Sequence, residues 1–319
     1  TLALFYFKTP VILALLLFFV NGGLGFHFLF SDFQNSQKGF FDFLFSLPRE
    51  YTDIKDQGYW WINTYLAYFL PQRGFLFAFP ITLTVFGLLY IGSVKNKLSF
   101  FILAGLLAGI LPLVQVHSLF VIFLVSIFFF AAALIKFQKN KKKIPGWLLF
   151  AIVTVIAALP IFNLISSNTN FLKFIQFDFG WTSEENIFLF WFKNLGLFGP
   201  LLLISLIWLF KKNRHFFFLY LPAIIIFLIS NIFVFQPWEF DNSKLLIYWF
   251  FASTIVVAYF LYDEFFTETI FKKFFGAVLI FVMIFSGSLD IFRTFTSVTY
   301  YQIFTDEDLK ISQTVKNLT

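Results

Sequence analysis

The chain has no cysteine, only one methionine and few charged side chains among its 319 residues. The lack of cysteine excludes disulfides and thiolate metal sites, and it leaves the redox compartment undetermined. Charged residues make up 13% of the chain, whereas hydrophobic residues make up 60%. A soluble globule of this size has too small an interior to hide so much apolar surface, so lipid must cover the remainder. The composition therefore predicts an integral membrane protein.

Nine apolar segments are each roughly long enough to cross a bilayer. A helix needs about 20 residues, at about 1.5 Å per residue, to cross about 30 Å of hydrocarbon. The segments are continuously apolar and do not alternate every second residue, which excludes barrel strands. We therefore predict an all-α fold: a polytopic transmembrane bundle of about nine spans within residues 1–289, with a partly helical first outward loop. The predicted spans are residues 3–21, 74–94, 98–115, 118–135, 147–165, 195–210, 216–234, 245–262 and 274–289.

The gaps between these segments differ in charge and so predict an orientation. More than half of the 23 basic residues lie at every second gap, with only three of the 17 acids. The positive-inside rule places those gaps in the cytoplasm and explains the net charge of +6 without a nucleic-acid partner. The outward side then receives loops 22–73, 166–194 and 235–244. Residues 290–319 are expected to begin an outward C-terminal segment that continues past Thr319, and the plasma (inner) membrane is the expected location.

Two short motifs near span ends predict contacts to an anionic substrate. Gln72 and Arg73 precede the second span, and a planar guanidinium suits bidentate binding of a lipid phosphate. The alternative is an interfacial anchor that reaches ordinary phospholipid. His117, in a turn between two spans, is a candidate proton carrier or hydrogen-bond donor, although such residues often only cap helices. Residues 59–61 and 65–70 are aromatic and apolar, as expected of a helix that lies in the membrane interface.

The densest outward cluster is the turn that contains Trp238, Glu239, Asp241, Asn242 and Lys244. Charged groups between apolar spans are costly unless they are paired, hydrated or bound to a ligand. The carboxylates suit a sugar hydroxyl, and the lysine suits a phosphate or its neighbouring carboxylate. An ordinary hydrated turn is the alternative. Two carboxylates make a poor oxygen cage, so no metal site is predicted, and the sequence identifies no cofactor.

Outward loops with acids and aromatics, basic inner turns and a polar outward tail that begins at residues 305–309 resemble the GT-C-type membrane glycosyltransferases. The resemblance implies a sugar donor linked to polyprenyl phosphate, with membrane lipids as the other partners. It implies a catalytic aspartate in the first outward loop, where Asp32 lies. Asp32, Glu239 and Asp241 are then the candidate bases, and Arg73 or Lys244 would stabilise the departing phosphate. Gln72, His117, Trp238 and Asn242 complete the predicted substrate-binding set.

Two alternatives from other classes remain open. A transporter or lipid flippase needs ionisable residues or broken helices near the bilayer midplane, and the span centres carry almost no charge. A membrane subunit without chemistry is the second alternative, because a fold does not fix a function.

The orientation is testable in this chain because a single introduced cysteine is the only thiol. We predict that a cysteine at position 141 is labelled from the cytoplasmic side and a cysteine at position 241 from the outward side. The measurement is labelling of intact cells and of inverted vesicles with an impermeant maleimide. Labelling of both positions from one side would contradict the topology.

Overall fold

The computed structural model is 79% helical with almost no strand, which confirms the predicted all-α class. It describes residues 2–135, 141–165, 175–181, 185–235, 238–296, 298 and 304–318.

The described residues form thirteen α-helices and one small antiparallel sheet. The helices are α1 Leu2–Phe19, α2 Phe28–Ser36, α3 Phe40–Leu44, α4 Arg73–Lys95, α5 Leu98–Gly109, α6 Val116–Ile135, α7 Ile144–Ile165, α8 Ile187–Leu195, α9 Phe198–Lys212, α10 Arg214–Ser230, α11 Ser243–Leu261, α12 Ile270–Phe295 and α13 Asp306–Leu318. The sheet pairs β1 (Gln176–Phe177) with β2 (Phe233–Val234). One turn of π-helix, Tyr65–Phe69, precedes α4. A second, Tyr262–Phe266, follows α11.

Five helices in the described part of the chain are long and apolar enough to cross a membrane: α4, α6, α7, α12 and α11 with its flanking turns. A sixth span results if α8 and α9, which meet at 95°, are counted together. α10 and the apolar parts of α1 and α5 are shorter. The chain is therefore an integral membrane protein with five to six clear spanning helices, and the count of nine stays a prediction.

Helix α11 lies at the centre of the bundle. In its most apolar window 72% of the residues are buried, against 11% for α7. It packs against α1, α6, α9 and α10, and α7 instead pairs with α5 at the edge of the bundle. Small residues allow that edge pair to approach closely, because a Cβ added at Gly105 of α5 would lie 2.8 Å from Cβ of Val153.

The bundle has two chemically different ends. We call one the loop end, where residues 22–72, 110–115 and 231–242 lie. The other is the lysine end, where residues 95–97, 211–214 and 262–269 connect the helices. At the lysine end, Lys212 forms an ion pair with Asp263, and the indole of Trp208 donates to Glu264 at 2.8 Å.

Side chains from distant helices hold the first loop, residues 22–72, against the loop end. Asp290 of α12 is fully buried and accepts hydrogen bonds from the Tyr51 amide (2.5 Å), the Thr52 amide (2.8 Å) and the Thr52 hydroxyl (2.6 Å). The side-chain oxygen of Asn194, on α8, accepts from the amides of Trp60 and Trp61, both at 2.8 Å. The loop backbone is thus supplied with partners where water is excluded.

Glycines at the start of this loop allow direct contact between backbones. The Gly22 amide donates to the Met283 carbonyl, and the Leu24 amide donates to the Lys193 carbonyl. A Cβ added at Gly22 would lie 2.5 Å from the amide nitrogen of Gly287, so only glycine fits there.

Two sequence expectations about this region need revision. The predicted interfacial helix over residues 59–70 is wrong, because Trp61 and Tyr68 are 3% and 2% exposed and belong to the main core. The segment has one five-residue π-helical turn, and Trp61 packs edge-on against Trp181 and Trp191. Asp290, assigned to the outward tail, lies inside α12, which continues six residues past the expected end of the last span.

We predict that Asp290→Asn loosens the first loop. The asparagine side chain keeps the shape of aspartate but replaces one accepting oxygen with an NH2 group, which faces backbone N–H donors and cannot accept from them. Each hydrogen bond to a buried charged group that is lost in this way costs about 1.5–3 kcal/mol. The melting temperature should fall, and proteases should cut within residues 22–72. Ser288→Ala is the matched control, because this hydroxyl on the same helix bonds only its own backbone at Ile284. Equal protection of the loop in both variants would contradict the assignment.

Candidate functional site

The predicted turn at residues 238–244 forms a fixed ion pair at the loop end. Asp241 lies in the 3-10 turn Glu239–Asn242, and Lys244 lies in the first turn of α11. Their side chains meet at 2.8 Å and are 26% and 19% exposed. The pair is therefore largely screened from water, which strengthens its field on neighbouring groups.

Asn242 shapes this turn and is not free to bind a substrate. Its amide nitrogen donates to the carbonyls of Ser230 (3.0 Å) and Phe233 (2.6 Å), and its oxygen accepts from the Phe235 amide (3.1 Å). The side chain is fully buried. Asn242 was predicted to contact a substrate, but in the structure its side chain holds the backbone of this turn instead.

Two further buried side chains, from other elements, lie near enough to the ion pair to interact with it electrostatically. His117, near the start of α6, is 9% exposed, and both Lys244 and Asp241 act on its ring electrostatically. Its Nε2 atom is buried and has no hydrogen-bond partner among the described residues. Tyr68 comes from the first loop, and both the Ser243 side chain and the Asp241 charge act on its hydroxyl. Burial raises the pKa of Tyr68 far above its usual value, so its hydroxyl stays protonated.

A chain of hydroxyl groups fixes His117 relative to Lys244. The Ser118 hydroxyl lies 2.6 Å from the Tyr248 hydroxyl, which in turn donates to Thr82 at 3.3 Å. Ser118 follows His117 on α6, and Tyr248 lies one turn after Lys244 on α11. The hydroxyl chain thus ties α4, α6 and α11 together beside the ion pair.

An apolar cavity of about 480 Å³ lies beside this cluster, between α6 and α7. It begins at Val116, next to His117, and extends to Phe130 and Trp147. Along α6 this distance is about 21 Å, at about 1.5 Å per residue. The lining is almost entirely apolar, with hydroxyls only from Ser126 and Thr154. The cavity suits a long hydrocarbon chain.

The other residues predicted for this site lie apart from the ion pair. Arg73 is exposed at the first residue of α4, and no described contact joins it to Lys244. The Gln72 amide donates to the backbone of Ala67 at 2.9 Å. Trp238 is 76% exposed, and the side chain of Glu239 lies outside the described part of the structure.

Asp32 belongs to a second cluster at the loop end. It is 7% exposed, pairs with Arg49 at 2.7 Å and accepts a hydrogen bond from the Tyr51 hydroxyl at 3.2 Å. Burial and the charge of Asp32 raise the pKa of Tyr51 above its ordinary value, so this phenol remains a donor. No described contact connects Asp32 with Asp241. The structure therefore separates two candidate bases that the sequence treated as one set.

Sequence reasoning missed the partners that complete both clusters. Arg49 and Tyr51 lie in a polar run of the first loop, and that run was the available signal. Tyr68 and Tyr248 lie within apolar runs, where a single hydroxyl gives no signal. Asp290 was visible as a lone acid beside an apolar segment.

The fold and these clusters define a polytopic membrane protein with a helical bundle and a polar site at one end. No protein-family model, curated protein or solved structure matches the chain. Within the described residues, no three His, Asp or Glu side chains lie together as metal ligands. The activity must therefore be argued from the loop-end geometry.

Asp53 in the first loop is a partly buried acid with one carboxylate oxygen that lacks a donor. Its Oδ1 atom is buried and has no hydrogen-bond partner among the described atoms. Burial raises the pKa of its carboxyl group, and Lys55 lowers it in part. The pKa of Asp53 is thus higher in the folded protein than in the unfolded chain, where it is about 3.9. Its contribution to the free energy of unfolding is therefore complete below the unfolded pKa and is lost as the pH rises through the folded pKa, where the carboxyl group ionises.

We predict that Asp53→Asn removes this pH-dependent loss. Its melting temperature relative to the unmodified protein should be higher at pH 7 than at pH 4, because the asparagine does not ionise. Melting curves in one detergent across that range measure the effect. Asp56→Asn, at an exposed acid in the same loop, is the control. A constant difference between Asp53→Asn and the unmodified protein would refute the prediction.

Proposed function

We propose that this protein is a membrane glycosyltransferase that moves a sugar from a polyprenyl-phosphate carrier to an acceptor at the loop end. The observation that supports the proposal is the position of the apolar cavity. One end of the cavity is lined by Val116, the residue before the buried His117, and Lys244 acts on that histidine electrostatically, so a lipid chain and its anionic head group would have neighbouring sites.

The chain of the carrier would lie between α6 and α7. Phe123 on α6 and Val155 on α7 line this cavity and are both 54% exposed, so the cavity is open towards the surrounding lipid. A polyprenyl chain entering sideways from the bilayer therefore needs no passage through the bundle.

The phosphate would lie against Lys244, with His117 as a second partner. An ammonium that is 19% exposed gains from an anionic partner, and the unpaired Nε2 of His117 supplies a hydrogen bond in its protonated tautomer. Arg73 keeps an outer role, because its exposed side chain at the entrance of α4 suits attraction of anionic lipid.

The reaction would be a displacement at the anomeric carbon of the sugar. The acceptor oxygen forms a bond to that carbon, and the bond from that carbon to the phosphate oxygen breaks, with the electron pair leaving on the phosphate. Asp241 accepts the proton of the acceptor hydroxyl as general base. Lys244 stabilises the negative charge that develops on the leaving phosphate.

A transporter is supported less well by the same helices. Its substrate site would require a broken span near the bilayer midplane. The 95° bend between α8 and α9 lies at residues 196–197, before a 15-residue helix that runs to the lysine end. The break is thus at the loop end of the bundle and not near the bilayer midplane, where a transporter site would require it.

We predict that the purified protein binds polyprenyl phosphate and that filling the cavity prevents it. Ala151→Trp places an indole in the cavity and should weaken binding at least about tenfold, or about 1.4 kcal/mol. Leu203→Trp, on the exposed side of α9, is the matched control and should bind normally. Binding is measured by native mass spectrometry in lipid nanodiscs against phosphatidylglycerol. Equal binding of both lipids would overturn the proposal.

Turnover separates an enzyme from a lipid-binding protein. Asp241→Asn should retain polyprenyl-phosphate binding but release polyprenyl phosphate from its sugar esters at least about tenfold more slowly, a barrier increase of about 1.4 kcal/mol. Lys272→Met at the lysine end controls for the loss of a charged residue. Normal turnover in a folded Asp241→Asn protein would exclude Asp241 as the base and make Asp32 the next candidate.

A further inference from the structure

Four phenylalanines of the first loop expose more than half of their side chains. Phe30 on α2 and Phe40, Phe41 and Phe45 on or beside α3 are 68%, 56%, 72% and 59% exposed. The opposite face of α3 is buried, with Phe43 in a small core that includes Leu47, Tyr51 and Leu289. Large apolar side chains that are exposed on two neighbouring helices, as these are, mark an interaction surface.

This surface continues the lipid-facing side of α12. Phe274 and Phe281 are 67% and 56% exposed, and the same helix face continues through Phe285 and Phe292, because successive members of this series lie seven or four residues apart. Phe281 packs on Phe285 at 4.9 Å, and Phe45 packs on Phe292 at 5.3 Å. The apolar face thus passes from the spanning helix onto α3.

The length of α12 sets the depth of α3 in the membrane. The helix has 26 residues, or about 39 Å, and the hydrocarbon core is about 30 Å thick. Exposed Lys272 and Lys273 place one boundary near the start of the helix. About 20 residues further on, the opposite boundary falls near Phe292. Because Phe45 rests on Phe292, α3 lies at the level of the lipid head groups.

We propose that α2 and α3 are a monotopic element whose four exposed phenylalanines enter the acyl-chain boundary of the bilayer at the loop end. The occupant of the surface is phospholipid. The turn between the two helices is polar, with exposed Gln37 and Lys38, and Lys38 donates to Ser46 at 2.8 Å. This pattern of an apolar face beside a polar edge is typical of interfacial helices. Residues 28–45 therefore take the interfacial position that the sequence assigned to residues 59–70.

The test uses single cysteines in a chain that has none. Phe41→Cys, Phe281→Cys and Gln57→Cys are labelled with an environment-sensitive fluorophore and reconstituted in phosphatidylcholine vesicles. Lipids with a quencher near the head group or near the chain end report depth. Gln57 is the matched control, because it is exposed in the same loop but lies in a polar turn.

The label at position 41 should be quenched at least about twofold more by the shallow lipid than by the deep one. The label at position 281 should show the reverse order, and the label at position 57 should respond to neither lipid. If position 41 behaves as position 57 does, the surface faces water and the proposal is wrong. If position 41 is shielded from both lipids and from aqueous iodide, a protein covers it, and the proposal is equally wrong.

Discussion

Irregular backbone at the loop end must find hydrogen-bond partners without water, and the rest of the structure depends on how it does so. In a helical bundle every spanning segment satisfies its own amides, but the first loop does not. Buried side chains supply the missing partners. Asp290 and Asn194 accept hydrogen bonds from backbone amides of the first loop. Asn63 donates to the Phe19 and Asn21 carbonyls. In the turn before α11, Asn242 donates to the Ser230 carbonyl. These residues are few, and the side chain of each bonds two to four backbone groups.

That arrangement also positions the charges of the candidate site. Asn242 fixes the turn that carries Asp241, so the carboxylate meets Lys244 at the start of the most buried helix. The first loop brings Tyr68 to the same place, and the hydroxyl chain from Ser118 to Thr82 aligns α6. A buried ion pair contributes little net stability, because desolvation offsets the attraction. Under the proposed function, the position of this pair near the unpaired Nε2 atom of His117 suits a bound anion.

The apolar segments were predictable because continuous hydrophobicity needs no knowledge of partners. Each predicted span overlaps a helix of the structure, although the span at residues 216–234 runs past the end of α10 into β2, and α5 is too short for a clear crossing. The turn at residues 238–244 was predictable as a cluster because its charges are adjacent in the chain. Tyr68 was not, since its contact with Ser243 joins residues far apart in sequence. The aromatic run at residues 59–70 was wrongly predicted to lie in the membrane interface, because a protein core and a membrane interface favour the same aromatic residue types.

The close packing of Gly22 against Gly287 has a consequence for biogenesis. The Phe26 amide also bonds the Ser286 hydroxyl, a contact across 260 residues. The first loop therefore leaves the ribosome long before α12, the helix that holds these partners. Contacts so distant in sequence close late and slowly. Until α12 is made and inserted, these contacts of Gly22 and Phe26 cannot form, so the loop end of the bundle is completed only after that helix is in place.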